Sequence, residues 1–160
     1  MLENNGQINK MMIILSKATL ENVYAAFVLA NGARMEGIEA EIFFTFFGLE
    51  SIHKKKLPHL HVATVGNPAM HIPTMIGGLP GMEAMATKMM KKEMEKMDMP
   101  DVYEFLCMLK DSGVKLWACK LAMDMFHYTK EDMFEDIDGI ITVGDFYKKA
   151  EGVGTHMLFI

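Results

Sequence analysis

A chain of 160 residues with 51% hydrophobic and 23% charged side chains buries roughly 68–70% of its unfolded surface on folding, which excludes a disordered segment and removes any need for a disulfide or metal as a staple. A net charge of −5, with no long basic block, leaves out the electrostatic footprint of a nucleic-acid binder. Met1 to Asn9 lacks an apolar signal core, so the two cysteines, Cys107 and Cys119, are expected as free thiols in a reducing cytoplasm.

Lys10 to Leu15 is a short apolar run of the kind that forms a strand buried on both faces. Thr19 is placed to cap a helix over Leu20 to Met35, with Glu21 in the first turn and Gly37 as the stop. Glu39 to Thr45 is a second strand, and the βαβ unit so formed implies parallel strands with a right-handed crossover. After Phe46-Phe47-Gly48-Leu49 comes the basic triplet Lys54-Lys55-Lys56 and then a stretch, Val62 to Met82, with no formal charge. That stretch has the length of a membrane span. Pro68, Pro73, Pro80 and the glycines among them would break such a helix, so a long flap over the domain or against a partner subunit is expected.

Nine of the 18 methionines lie between Met70 and Met99. Gly81 to Met97 is predicted as a helix with Met82, Met85 and Met89 in one row, Met90, Met94 and Met97 beside it, and lysines and glutamates on the polar side. Pro100 starts a helix over Asp101 to Lys110, closed by Gly113. Val114 to Ala118 is a third strand with Cys119 directly after it, followed by a short helix around Leu121 to Phe126. Gly139 to Val143 is a fourth strand, Gly144-Asp145 opens a helix through Ala150, and Thr155 to Ile160 is the last strand. The pattern predicts a single α/β domain over residues 1–160: three α/β/α layers, a mostly parallel sheet of about five strands, and a methionine-rich insertion at about 54–99.

Ligands of open parallel sheets bind beyond the carboxyl ends of the strands. The residues expected there are Ser16 and Lys17, Thr45 to Gly48, Cys119 with Lys120, and Gly144 with Asp145; Cys119 is the strong nucleophile among them. A cysteine between a strand and a helix sits where unpaired N–H groups favour the thiolate, and Lys115 and Lys120 add positive potential if they point the same way. The alternative is a buried structural thiol. Cys107, inside a helix, reads as packing, and the eleven residues between the two cysteines fit neither a Cys-x-x-Cys redox pair nor a structural zinc site. His59 and His61 share a face in extended chain and would begin a metal site only with a further ligand such as His71. Gly77-Gly78-Leu79-Pro80-Gly81 lacks the ending of a P-loop, and no nucleophile elbow or triad spacing is present.

Three stretches give the chain a family likeness: Thr19-Leu20-Glu21 through Asn31-Gly32-Ala33, Phe43-Phe44-Thr45-Phe46-Phe47-Gly48-Leu49, and Gly113-Val114-Lys115 through Cys119, continued by Met123-Asp124, Asp138-Gly139 and Leu158-Phe159-Ile160. On these residues the sequence resembles the DsrE/DsrF-like sulfur-relay family, in its subgroup with a long methionine-rich insertion. The resemblance implies a cytoplasmic sulfur carrier or sulfurtransferase in which Cys119 takes up sulfane sulfur as a persulfide and passes it to a partner thiol, without metal or cofactor. It also implies a homo-oligomer, a trimer or hexamer. Ser16, Thr45, Lys120 and Gly144 are the expected pocket walls. Ala122 departs from the pattern, standing where a small hydroxyl residue is expected and offering the sulfur no hydrogen bond. The competing reading is a non-catalytic oligomeric assembly protein that uses the methionine-rich insertion as its interaction surface.

Overall fold

The computed structural model describes residues 6–160. Five strands form one sheet: β1 (Lys10–Leu15), β2 (Glu39–Phe44), β3 (Lys115–Cys119), β4 (Gly139–Ile141) and β5 (Thr155–Phe159), in the order β4-β3-β2-β1-β5 with every pair parallel. The three-layer α/β expectation therefore holds. Helix α1 (Leu20–Met35) returns the chain from β1 to β2, and its residues Leu20, Val23, Ala26, Phe27 and Ala30 are buried. Parallel strands require such a crossover; right-handed connections that step the same way along the sheet, β1 to β2 to β3 to β4, share one face, and the return from β4 to β5 takes the other.

Between β2 and β3 lie a 3₁₀ segment at Phe46–Ile52, further single turns at Leu57–His59 and Pro68–Met70, and the short helix α2 (Thr74–Gly77). Helices α3 (Met82–Lys96) and α4 (Val102–Asp111) follow. Phe105 of α4 meets the edge of Phe27 at a centroid distance of 5.5 Å, and Phe27 in turn meets Phe44 of β2 at 6.4 Å, so α4 and α1 share one core beneath the sheet. The uncharged Val62–Met82 stretch is tied to α3 and folded on itself: Val62 and Thr64 are buried, the Val62 N–H donates to Thr87 Oγ1 at 2.9 Å, and the Thr64 hydroxyl donates to the Gly77 carbonyl at 2.9 Å. Among the described residues no helix is long and apolar enough to cross a membrane. Of the methionine rows, Met94 faces the core, while Met85, Met89 and Met97 are exposed.

The other face of the sheet carries one short helix, α6 (Val143–Lys149), whose Phe146 stacks on Phe43 at 4.8 Å. Here a half-buried polar strap crosses three strands: Trp117 Nε1–H donates to Glu41, Lys10 pairs with Glu41 and donates to the Lys149 carbonyl, and the Lys149 ammonium sits 3.9 Å from the Trp117 ring centre. Edge strand β5 leaves Met157 and Phe159 on the surface, 52% and 72% exposed.

Most boundaries shift by a residue from the sequence expectation, and two of the shifts share one cause. Strand β4 stops at Ile141 and α6 begins at Val143 rather than at Gly144-Asp145, because Thr142 and Asp145 form a reciprocal capping box that fixes the helix start. Asp101 and Glu104 do the same for α4.

Candidate functional site

The register of the sheet decides which sequence-predicted residues meet. Leu15 pairs with Phe44 and Phe44 with Ala118, so Ser16, Thr45 and Cys119 fall on one row across the carboxyl edge of β1, β2 and β3. Cys119 itself pairs with Ile141 of β4, which brings Gly144, in the first turn of α6, to the neighbouring position on the same edge. Thus four of the expected positions share one edge. The row is closed by backbone: Thr45 N–H donates to the Leu15 carbonyl, and Ser16 N–H and Oγ–H both donate to the Ile160 carbonyl.

Cys119 is both the last residue of β3, which runs one residue further than the sequence suggests, and the N-cap of α5 (Lys120–Phe126), which starts one residue earlier. It is 3% exposed. The 46–52 segment walls the edge, packing against β2, β3 and α5, with Phe47 lying 5.5 Å from Phe126 of α5. Phe46 enters this segment in the left-handed region (φ 45°), a conformation that costs a non-glycine residue energy and persists only where the surroundings enforce it. Phe46 and Phe47 are 50% and 59% exposed, and Leu121 and Met125 of α5 are exposed beside them.

The lysines do not act as expected. Lys120 is paired along α5 with Asp124, 3.1 Å away, and Lys115 with Asp138 at 3.2 Å, so neither is a bare charge beside the thiol. Cys107 is half-buried on α4, away from the strand ends, and both cysteines are free thiols. Among the described residues no three histidine, cysteine, aspartate or glutamate side chains converge to hold a metal ion. His59 and His61 are brought together, but with Lys17 and Lys55, in a cleft at the carboxyl end of β1; His71 is elsewhere, in a left-handed turn.

Sequence reasoning placed Gly48 at this edge without giving it a role, and it passed over His53. Gly48 threads the 46–52 segment against β1 so closely that its N–H donates to the Ser16 carbonyl at 3.1 Å. The signal was present as Phe-Phe-Gly after a strand. His53 is buried, with its ring 4.7 Å from that of Tyr128 and its Nδ1 accepting the Lys55 N–H at 3.2 Å. Burial lowers the His53 pKa, Asp132 opposes that shift, and Lys56 and Lys55 add to it. The unfolded chain therefore binds a proton on His53 more readily than the folded one. Stability is full above the ordinary imidazole value of about 6.5 and falls as pH drops toward the lowered folded value. Urea midpoints measured at neutral and mildly acidic pH are expected to fall more for the wild type than for His53→Gln; equal falls would remove His53 as the source.

Comparisons with known proteins bear on the chain as a whole. A model of the DsrE/DsrF/DrsH-like family matches residues 7–158. The chain is 34% identical over 137 residues to the sulfur carrier protein DsrE2 of Allochromatium vinosum, covering 81% of this chain and 85% of that one. It is 28% identical over 142 residues to the uncharacterized protein YrkE of Bacillus subtilis, covering 82% and 86%. The crystal structure of the ychN protein from E. coli superposes with a TM-score of 0.58 at 13% identity, covering 96% of this chain and all of that one, which establishes the fold. With the family model spanning nearly the whole sheet and every connection, the chain belongs to the DsrE/DsrF/DrsH-like family.

Proposed function

We propose that this protein is a sulfur carrier of a sulfur relay, with Cys119 as the atom that holds the cargo. The observation that carries the reading is position: the thiol at the strand-end row Ser16–Thr45–Cys119 is Cys119, in a chain similar over most of its length to a protein named as a sulfur carrier. In the loading step the Cys119 thiolate attacks the outer sulfur of a donor persulfide R–S–SH. The donor S–S bond breaks, its electron pair leaves on R–S⁻, and that thiolate takes up the proton Cys119 released. Delivery is the same exchange with an acceptor thiol attacking the terminal sulfur of Cys119–S–SH. No net oxidation occurs, so neither metal nor cofactor takes part in the proposed step.

The exposed apolar edge of β5 and the exposed methionines of α3 support self-association; the proposal takes this as a trimer or hexamer, residues 54–99 as an insertion into a single domain, and a reducing cytoplasm as the working compartment. The same exposed Met85, Met89 and Met97 support the second reading, an assembly protein with an inert thiol.

Intact-mass measurement after incubation with a persulfide donor separates the two. The expected result is one added sulfur on the wild type and on Cys107→Ser, and none on Cys119→Ser. An adduct that stays on Cys119→Ser, or a wild type that gains none while small thiols load normally, overturns the carrier reading.

A further inference from the structure

A cavity lies at the same sheet edge, two strands from Cys119. Its volume is about 560 Å³, and it opens where β1 passes into α1. Lys17 and Thr19 form one side, Phe47 another, and Lys55, His59 and His61 a third. Among the described residues, neither Lys17 nor Lys55 has a carboxylate within ion-pair distance. Lys56 also borders the cavity but is neutralised by Glu50 at 2.6 Å. The remaining acid is Glu83 of α3, on the α3 side of the cavity. In a chain of net charge −5, this is a cleft with two uncompensated ammonium groups, two imidazoles and one carboxylate.

We propose, building on the carrier reading, that this cleft binds the carboxylate groups of a small peptide thiol persulfide of the glutathione type and so selects the sulfur donor. Three features fit that ligand. Lys17 and Lys55 supply charge-assisted donors for carboxylates. Glu83 supplies a counter-charge for an α-ammonium group. The span is right: Lys17 follows Ser16, and the row from Ser16 through Thr45 to Cys119 crosses two strand spacings, about 10 Å in all, which a tripeptide-sized molecule bridges. Phe47 connects the two places, lining the cleft on one side and packing against Phe126 of α5 on the other. A donor anchored in the cleft meets Cys119 by displacing the Phe46-Phe47 turn. The transfer is the loading step with glutathione as R: the glutathione S–S bond breaks, the Cys119 S–S bond forms, and glutathione leaves as the thiol.

Two measurements test this. With S-methylglutathione as a non-reacting probe on Cys119→Ser, saturable NMR shift changes are expected at Lys17, Thr19, Phe47, Lys55, His59 and His61, weakening with salt. With persulfide donors, Lys17→Gln/Lys55→Gln is expected to lower the preference for glutathione persulfide over neutral hydroxyethyl persulfide about tenfold, through the concentration that half-loads Cys119. Glu83→Gln is expected to weaken glutathione persulfide more than its N-acetylated form. If Cys119 loads from both donors and the preference is unchanged in the double variant, the cleft inference is overturned and the carrier reading stands. If Cys119 loads from neither, the carrier reading falls, and the probe shifts alone then decide whether the cleft binds the peptide.

Discussion

Gly48→Ala is expected to destabilise the fold by roughly 3–5 kcal/mol, at the upper end for a single core substitution. A Cβ at this position would lie 2.0 Å from the Leu15 carbonyl oxygen and 2.7 Å from its carbon. Both are backbone atoms, and Leu15 is fully buried at the end of a central strand. No rotamer relieves the contact, so either β1 or the 46–52 segment must move. Moving the segment breaks the hydrogen bonds from Gly48 N–H to Ser16 and Thr45 and uncovers Leu49 and Ile52, both fully buried. The expected readout is a lower urea midpoint together with faster alkylation of Cys119, because the displaced segment is its wall. Gly32→Ala is the control. Gly32 lies inside α1 with nothing within 4 Å of a built Cβ, and alanine there is expected to stabilise by roughly 0.5–1 kcal/mol. If Gly48→Ala matches the wild type in midpoint and alkylation, the described packing of the segment on β1 is wrong.

Asp138→Ala carries the second largest expected loss, roughly 2–4 kcal/mol. The carboxylate joins three elements just before β4. One oxygen accepts from Lys110 of α4 and from the Leu116 N–H of β3 at 2.8 Å, the other lies 3.2 Å from Lys115, and the Asp138 N–H donates to the Leu116 carbonyl. Removing it leaves the Lys110 ammonium, itself only 20% exposed, beside an unpaired backbone donor. Burial raises the Asp138 pKa, but hydrogen bonds from Lys110, Leu116 and Lys115 outweigh it and hold the carboxyl below the ordinary aspartate value. The folded state therefore loses this contribution as pH falls below about 3.9 toward the lowered folded value. Asp138→Asn keeps an acceptor oxygen and is expected to lose less than Asp138→Ala at neutral pH, and the part of the acid sensitivity due to Asp138 below about pH 4 disappears. This window lies well below that of His53, so one pH series resolves both. Equal acid sensitivity in wild type and Asp138→Asn would remove the clamp.

How much of this was legible in the sequence depends on the reach of each interaction. The strands were readable because a strand buried on both faces must be continuously apolar, as Met11 to Leu15 and Ile42 to Phe44 are. The strand-end place of Cys119 followed from the same rule. Capping boxes at Asp101/Glu104 and Thr142/Asp145 were written locally and were passed over in favour of Pro100 and Gly144, which punctuate less strongly than a reciprocal side-chain cap. The strap of Lys10, Glu41, Trp117 and Lys149 was beyond reach, since its members lie on four elements and acquire partners only when the strand order is fixed. The same holds for the cleft. The Lys54-Lys55-Lys56 triplet was visible as a charge run, but its members diverge: Lys54 turns to the Glu131 carbonyl, Lys56 to Glu50, and Lys55 to the cleft with Lys17.

The burial of Cys119 has a kinetic meaning under the carrier proposal. A persulfide is as vulnerable to abundant reducing thiols as it is available to the proper acceptor, and the sulfur chemistry does not distinguish them. Where Cys119 is 3% exposed and the 46–52 segment packs on the strand and helix that this residue joins, both reactions wait on the same opening of that edge, and the opening frequency sets the storage time of the cargo. Such a carrier is a latch: its fidelity lies in which visitor moves Phe47, and the reactivity of the thiol itself decides little.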